Sequence, residues 1–279
     1  MNVGRGGAHD MPLVTRFSFS LRLFATSIAL CALSPAWTAD PGVTPHVRQI
    51  LLESTVRCRY EHRISKERVI SGQGTAFGVD LTAYGYPDTR RYLLTAAHVV
   101  LHGNRRGSKT PYAKLEIELR RGDKTYWSPC RAIAWDEYLD LCILESGDEL
   151  PNHLKLAERD PKVGAKLVLA GSPRGVPVAL YTGTLDRKFE RGSVRSSASV
   201  PFDHGNSGGP MVDAVTGLVV GVAVAGLPKG KDLDRNVGLY VPVVGVDSFM
   251  EAVGRKVDVP ALTREKPVVP ATAHGRPSE

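Results

Sequence analysis

The sequence predicts an all-β protein, on three observations. From Thr55 onward, short runs rich in Val, Ile, Leu and Tyr alternate with Gly, Pro and Asp punctuation, a spacing that suits short strands joined by tight turns. These runs fall into two sets of six, divided by a polar stretch around 147–161. Helical periodicity is confined to one short segment before the strands and one after them.

In chain order, 41–45 reads as an extended leader bounded by prolines, and 47–52 as a short helix delivering the chain to the first strand. The first set of runs is 56–60, 75–79, 92–95, 115–119, 131–135 and 141–144. The second is 166–170, 179–186, 194–200, 210–213, 219–225 and 239–243. A closing helix over 246–253 places Phe249, Met250 and Val253 on one face. The expected divisions are 1–39 signal peptide, 40–53 leader, 54–150 first strand set, 151–160 linker, 161–254 second set with the helix, and 255–279 tail. That tail is Pro-rich and polar, a composition expected to stay disordered.

Composition bounds the function. With 42% hydrophobic and 23% charged residues, the chain is globular. Arg16 and Arg22, the apolar run Leu23 to Leu33, and Ser34-Pro35-Ala36-Trp37-Thr38-Ala39 form a signal-like pattern. The apolar run is too short for a span of ~20 residues. Export is therefore expected, to a periplasmic or secreted location, with cleavage between Ala36 and Ala39 and membrane contact only through this segment. An uncleaved anchor is the alternative. The formal charge of +7 gathers at Arg105-Arg106, Arg120-Arg121 and Arg187-Lys188, between strand-like runs and without interleaved aromatics. This reads as solvated loops, not a nucleic-acid interface. Beyond the signal, Cys58, Cys130 and Cys142 allow at most one internal disulfide. Cys142 reads as a small buried hydrophobe; Cys58 with Cys130 is the sensible pair, and two free thiols the other reading. The remaining histidines lack ligand spacing, so neither metal nor cofactor is expected.

The chemistry lies in three segments. Gly205-Asn206-Ser207-Gly208-Gly209-Pro210-Met211 sets a serine among glycines, where backbone can turn tightly and aim consecutive N–H groups at one point. Serine needs a base, and Leu94-Thr95-Ala96-Ala97-His98 supplies a histidine. Asp140, opening the apolar run Leu141-Cys142-Ile143-Leu144, offers a carboxylate to orient it. Asp136 is a rival, but its setting beside Glu137 and Tyr138 marks a turn.

This set, in the order His, Asp, Ser, resembles the trypsin-like serine proteases, and within them the HtrA/Deg branch. Gly72-Gln73-Gly74-Thr75-Ala76-Phe77-Gly78 is similar to that branch's Gly-rich strand before the histidine. Ala170-Gly171-Ser172-Pro173-Arg174-Gly175 with Thr182-Gly183-Thr184, and Asn236 to Pro242, resemble parts of its second barrel. The resemblance covers roughly 54 to 250. It implies two packed antiparallel six-stranded β-barrels of the chymotrypsin-like kind with a short C-terminal helix. His98 and Asp140 would come from the first barrel (54–150) and Ser207 from the second (161–254). It implies a serine endopeptidase acting on protein or peptide substrates through an acyl-enzyme on Ser207. The backbone of Gly205 and Ser207, aided by Asn206, would hold the oxyanion. Pro201 and Phe202 would form the base and side of the primary pocket, and Ala223, Val224, Ala225 and Gly226 one wall. A small or medium aliphatic side chain before the scissile bond is the resulting expectation, since no charged residue lines the pocket. The stretch after 253 is too short for a PDZ domain, so the branch's cage-forming behaviour does not carry over. Asn206 stands where zymogen-activated trypsins have an aspartate, and activation by a new amino terminus is not expected. A binding or chaperone protein with a locked site, and an esterase using the same residues, are the alternatives. Oligomeric state is not readable from the sequence.

Overall fold

The computed structural model describes residues 42–86, 89–103, 109–188, 194–227 and 237–254. The expected signal peptide (1–39) and tail (255–279) lie outside them. The leader becomes α1 (Pro45–Ser54), started by Thr44, whose hydroxyl accepts the Val47 N–H at 3.2 Å. A proline in its first turn, where no backbone donor is needed, helps set the helix. Val47 and Leu51, one turn apart, are its buried side.

The first barrel is built from β1 (Thr55–Arg63), β2 (Val69–Gly78), β3 (Tyr92–Ala96), β6 (Lys114–Arg121), β7 (Lys124–Asp136) and β8 (Leu141–Ser146). Between β3 and β6 come α2 (Ala97–Val100) and a two-stranded sheet of β4 (Leu101–Gly103) and β5 (Lys109–Pro111). All barrel pairs are antiparallel, in the order β1-β2-β3-β8-β7-β6, with β6 returning to β1. Alternation decides what fills it. Val56, Cys58, Leu115, Ile117 and Leu119 are buried. The residues between them face out and pair across strands, Arg59 with Glu116 at 2.9 Å and Arg57 with Glu118. The Arg59 guanidinium also lies 3.9 Å over the Trp127 ring.

The second barrel comprises β9 (Lys166–Gly171), β10 (Ala179–Arg187), β11 (Ser196–Ala198), β12 (Pro210–Asp213), β13 (Val219–Leu227) and β14 (Val237–Pro242), in the order β10-β11-β14-β13-β12-β9. Leu167, Leu169, Leu185, Met211, Val220 and Tyr240 fill its interior. Its outer residues Val168, Val212, Val222 and Val241 join the core cluster of the first barrel, which also takes in α1 and the closing helix α3 (Val243–Gly254). The 151–160 segment runs between the barrels and bonds to both. Leu154 N–H donates to the Gly78 carbonyl at 2.9 Å, and Ala157 N–H to Val219 at 2.8 Å.

Cys58, Cys130 and Cys142 are free thiols. Their strand partners Ile117, Leu115 and Thr95 place all three on the interior face of the first barrel. Strand β6 separates β1 from β7, so two strand spacings put the Cys58 and Cys130 backbones on the order of 9 Å apart. A disulfide spans less than ~7 Å between Cα atoms. The two thiols share a hydrogen bond instead. Of the two readings open from sequence, the structure has the unbridged one.

Candidate active site

Strand β3 passes directly into α2, and His98 is the second residue of that short helix. Asp140 stands immediately before β8 with φ +59°, a left-handed conformation that aspartate tolerates better than most residues. In that pose it grips the 97–98 turn three times. Its carbonyl accepts the Ala97 N–H at 3.1 Å, Oδ1 accepts the His98 N–H at 2.8 Å, and Oδ2 lies 2.7 Å from His98 Nδ1. An ionised carboxylate can only accept, so Nδ1 carries the proton and the neutral ring presents Nε2 as a free acceptor. The imidazole is 43% exposed and the carboxylate 18%, so the ring is reachable from solvent while its carboxylate partner is shielded. Asp136 forms a turn, Oδ1 accepting the N–H groups of Tyr138 and Leu139, both at 2.8 Å.

Ser207 arrives from the second barrel. Thr75 N–H of β2 donates to the Ser207 carbonyl at 2.9 Å, and Gly208 N–H to the Ala223 carbonyl at 2.7 Å. Gly208 has φ +86°, and a Cβ there would stand 2.1 Å from the Thr75 oxygen and 2.2 Å from Thr95 Oγ1. The loop therefore sits directly on the strand end leading to His98. The Ser207 hydroxyl donates to the Val224 carbonyl at 3.4 Å. The structure thus brings Asp140 to His98 and Ser207 to the same turn, without a Ser207–His98 hydrogen bond in this rotamer.

The loop before the serine has a defined peptide orientation. Arg174 N–H donates to the His204 carbonyl at 2.6 Å. In a trans peptide, C=O and N–H point oppositely, so the Gly205 N–H faces away from Arg174. Gly205 has φ +100°, and a Cβ would lie 2.3 Å from the Ser172 carbonyl oxygen. Only glycine fits. The Asn206 carbonyl is likewise taken by Gly209 N–H at 3.0 Å, turning the Ser207 N–H the other way. Neither the Gly205 nor the Ser207 N–H has an acceptor among the described residues. The Asn206 N–H donates to the Asp203 carbonyl at 3.1 Å, and the residue is buried with its side-chain oxygen under Gly171. Asp203 is held below the usual carboxylate range by the His204 N–H on Oδ1 and by the Arg174 guanidinium 2.7 Å away.

At the expected pocket, Pro201 is exposed. The Phe202 side chain lies against Gly226, so close that a Cβ on the glycine would meet the ring at 2.5 Å. Ala223 faces the interior of the second barrel with Phe202 packed nearby, whereas Val224 turns its side chain into the core between the barrels. Val224 therefore offers only backbone to a wall continued by Ala225 and Gly226. Sequence reading passed over Arg195. Burial pushes its guanidinium down from the ordinary value, countered by the nearby charges of Asp140 and Tyr138. No motif marked it.

Known structures resemble this fold at low identity. The Rv3671c protease from M. tuberculosis in its active form is 20% identical, with a TM-score of 0.55, over 75% of this chain and 86% of that one. Its inactive form is 21% identical, with a TM-score of 0.56, over 77% and 96%. No curated protein sequence matches the chain. The sequence model of the trypsin-like peptidase domain matches residues 73–222, 150 of the 279 residues, from within the Gly-rich strand β2 to within β13. The chain therefore belongs to the trypsin-like peptidase domain family.

Proposed function

We propose that the protein is an exported serine endopeptidase that works through an acyl-enzyme on Ser207. The observation that carries this reading is the His98–Asp140 pair, Nδ1 to Oδ2 at 2.7 Å, with Nε2 left as acceptor beside the Ser207 loop. Rotation of the serine about χ1 moves Oγ from the Val224 carbonyl toward His98. The imidazole then takes the hydroxyl proton as Oγ attacks the substrate carbonyl. Asp140 keeps the ring in the right tautomer and stabilises the imidazolium. The two free N–H groups of Gly205 and Ser207 receive the developing negative oxygen. His98 passes its proton to the leaving amine, and water repeats the sequence to free the acid.

A peptide substrate is favoured over a small ester by strand β13. Its pairing with β12 stops at Val222, so Val224 to Leu227 keep one edge unpaired beside Ser207. An extended peptide can add there as a strand. The Phe202 ring shortens the adjoining pocket, in keeping with a small or medium aliphatic side chain before the scissile bond. Export rests on the 1–39 pattern, and the mature chain should begin between residues 37 and 40 by mass spectrometry.

The test is labelling by a fluorophosphonate, which requires an activated serine. Labelling should vanish in Ser207→Ala, and turnover should fall by on the order of 10⁶. Cleavage of unfolded casein, set against hydrolysis of a small ester, then separates a peptidase from an esterase. A folded wild type that takes no label would leave a locked binding protein.

A further inference from the structure

We infer that Thr75, a buried side chain of the first barrel, is a positioning residue for the Gly205 turn of the second; this inference rests on the reading of that turn as the oxyanion site. Thr75 is fully buried in β2. Its hydroxyl accepts the Ser172 N–H at 3.0 Å and donates to the Gly205 carbonyl at 2.7 Å. Its backbone is held as well, the N–H donating to the Ser207 carbonyl at 2.9 Å and the carbonyl accepting the Thr95 hydroxyl at 2.7 Å.

Two peptide planes flank Gly205, and the carbonyl of each is taken by a donor outside the turn. Arg174 N–H takes the His204 carbonyl, which fixes the direction of the Gly205 N–H. Thr75 Oγ1 takes the Gly205 carbonyl, which fixes the plane on the other side. The Asn206 N–H ties the same plane to the Asp203 carbonyl of its own loop; the Thr75 hydroxyl ties it to the first barrel, and without that anchor glycine's wide conformational freedom lets the turn move as a unit. A β-branched residue suits the task because its χ1 has few wells. The bond received from Ser172 polarises the hydroxyl and strengthens the one it gives. Ser172 and Gly205 belong to two loops of one barrel and meet on a side chain of the other, so the turn's shape depends on how the barrels are seated.

The experiment compares Thr75→Val, which keeps the shape and deletes the hydroxyl, with Thr75→Ser, which restores it. Thr75→Ala serves where the valine is not accommodated. On a peptide substrate, kcat should fall at least tenfold in Thr75→Val with KM little changed. A peptidyl aldehyde, which binds as a negatively charged hemiacetal, should weaken in proportion to kcat. Thr75→Ser should recover most of both. Hydrogen exchange at the Arg174 and Asn206 amides should quicken at least tenfold in Thr75→Val and return in Thr75→Ser. Unchanged exchange at those amides, or a loss of kcat that the serine does not repair, overturns the inference. The exchange readout does not depend on turnover, so it decides the role of Thr75 even if wild type proves as inert as Ser207→Ala, a result that would instead remove the protease reading.

Discussion

Asp140 holds His98 at two points, its Oδ1 on the backbone N–H at 2.8 Å and its Oδ2 on the ring Nδ1 at 2.7 Å. The first bond places the residue and the second sets the tautomer. Asp140→Asn separates these roles, because a carboxamide can still accept the backbone N–H yet can present an NH₂ to Nδ1. That presentation favours the proton on Nε2, the wrong nitrogen for a base. Turnover of a peptide substrate should drop by on the order of 10⁴, with thermal stability close to wild type. A fall below tenfold would show that the carboxylate is not orienting a working base.

Gly205→Ala should fail for two reasons at once. The φ of +100° suits only glycine, and the new Cβ would press on the Ser172 carbonyl. The turn must shift, and the Gly205 N–H leaves its direction. The loss should be about 10²–10³ in kcat, the usual worth of one oxyanion donor. Fluorophosphonate labelling rates and kcat measured together test this.

Phe202→Ala should lengthen the pocket beside Gly226. Selectivity for a large over a small side chain before the scissile bond should rise by roughly tenfold or more, in line with the worth of a methylene or two in an apolar pocket. A peptide-library cleavage profile reads this directly, and an unaltered profile would place the primary pocket elsewhere.

Arg174→Gly should be nearly silent. The clamp on His204 is a backbone N–H, which glycine keeps, and glycine accepts the φ of +51° without strain. What is lost is an exposed ion pair with Asp203, with a small effect, about twofold at most in turnover. Asp203 has a lowered pKa, so any contribution from its charge is present above the ordinary carboxylate value and disappears only as pH falls through the lowered one. The variant-to-wild-type ratio should therefore stay flat from about pH 5 upward.

The Cys58 and Cys142 thiols should be chemically silent in the native state. The hydrogen bond with Cys130 together with burial pushes the Cys58 thiol up, and burial does the same to Cys142. Alkylation proceeds through the thiolate, so iodoacetamide at neutral pH should leave both unmodified until denaturant opens the barrel. Peptide mass mapping before and after unfolding checks this.

Much of this architecture was legible because residue alternation and turn punctuation report directly on strands. The interior of the second barrel, from Leu167 to Tyr240, reads off its apolar runs. Strand β7 was under-read, spanning Lys124–Asp136 where only 131–135 looked strand-like. Its first residues, Lys124 and Thr125, are exposed and polar, and Tyr126 and Trp127 after them are only half-buried, so no buried apolar run marks this end. The small β4–β5 sheet was missed for the same reason. His98, Asp140 and Ser207 stood out because each sits in a distinctive local run. The packing of Asn206 against Gly171 could not be read, because a side chain's direction within a turn depends on what lies beneath it. Arg195 and the hydroxyl of Thr75 gave no sign at all, since their partners are distant in sequence and only the assembled barrels bring them near.

The segment joining the two barrels is itself hydrogen-bonded to each, through Leu154 to Gly78 and Ala157 to Val219. It acts as mortar, fastened at one end to β2 of the first barrel and at the other to β13 of the second. A swing of one barrel against the other would have to break these bonds, whereas a rearrangement of the short segments around Gly205 would leave them in place.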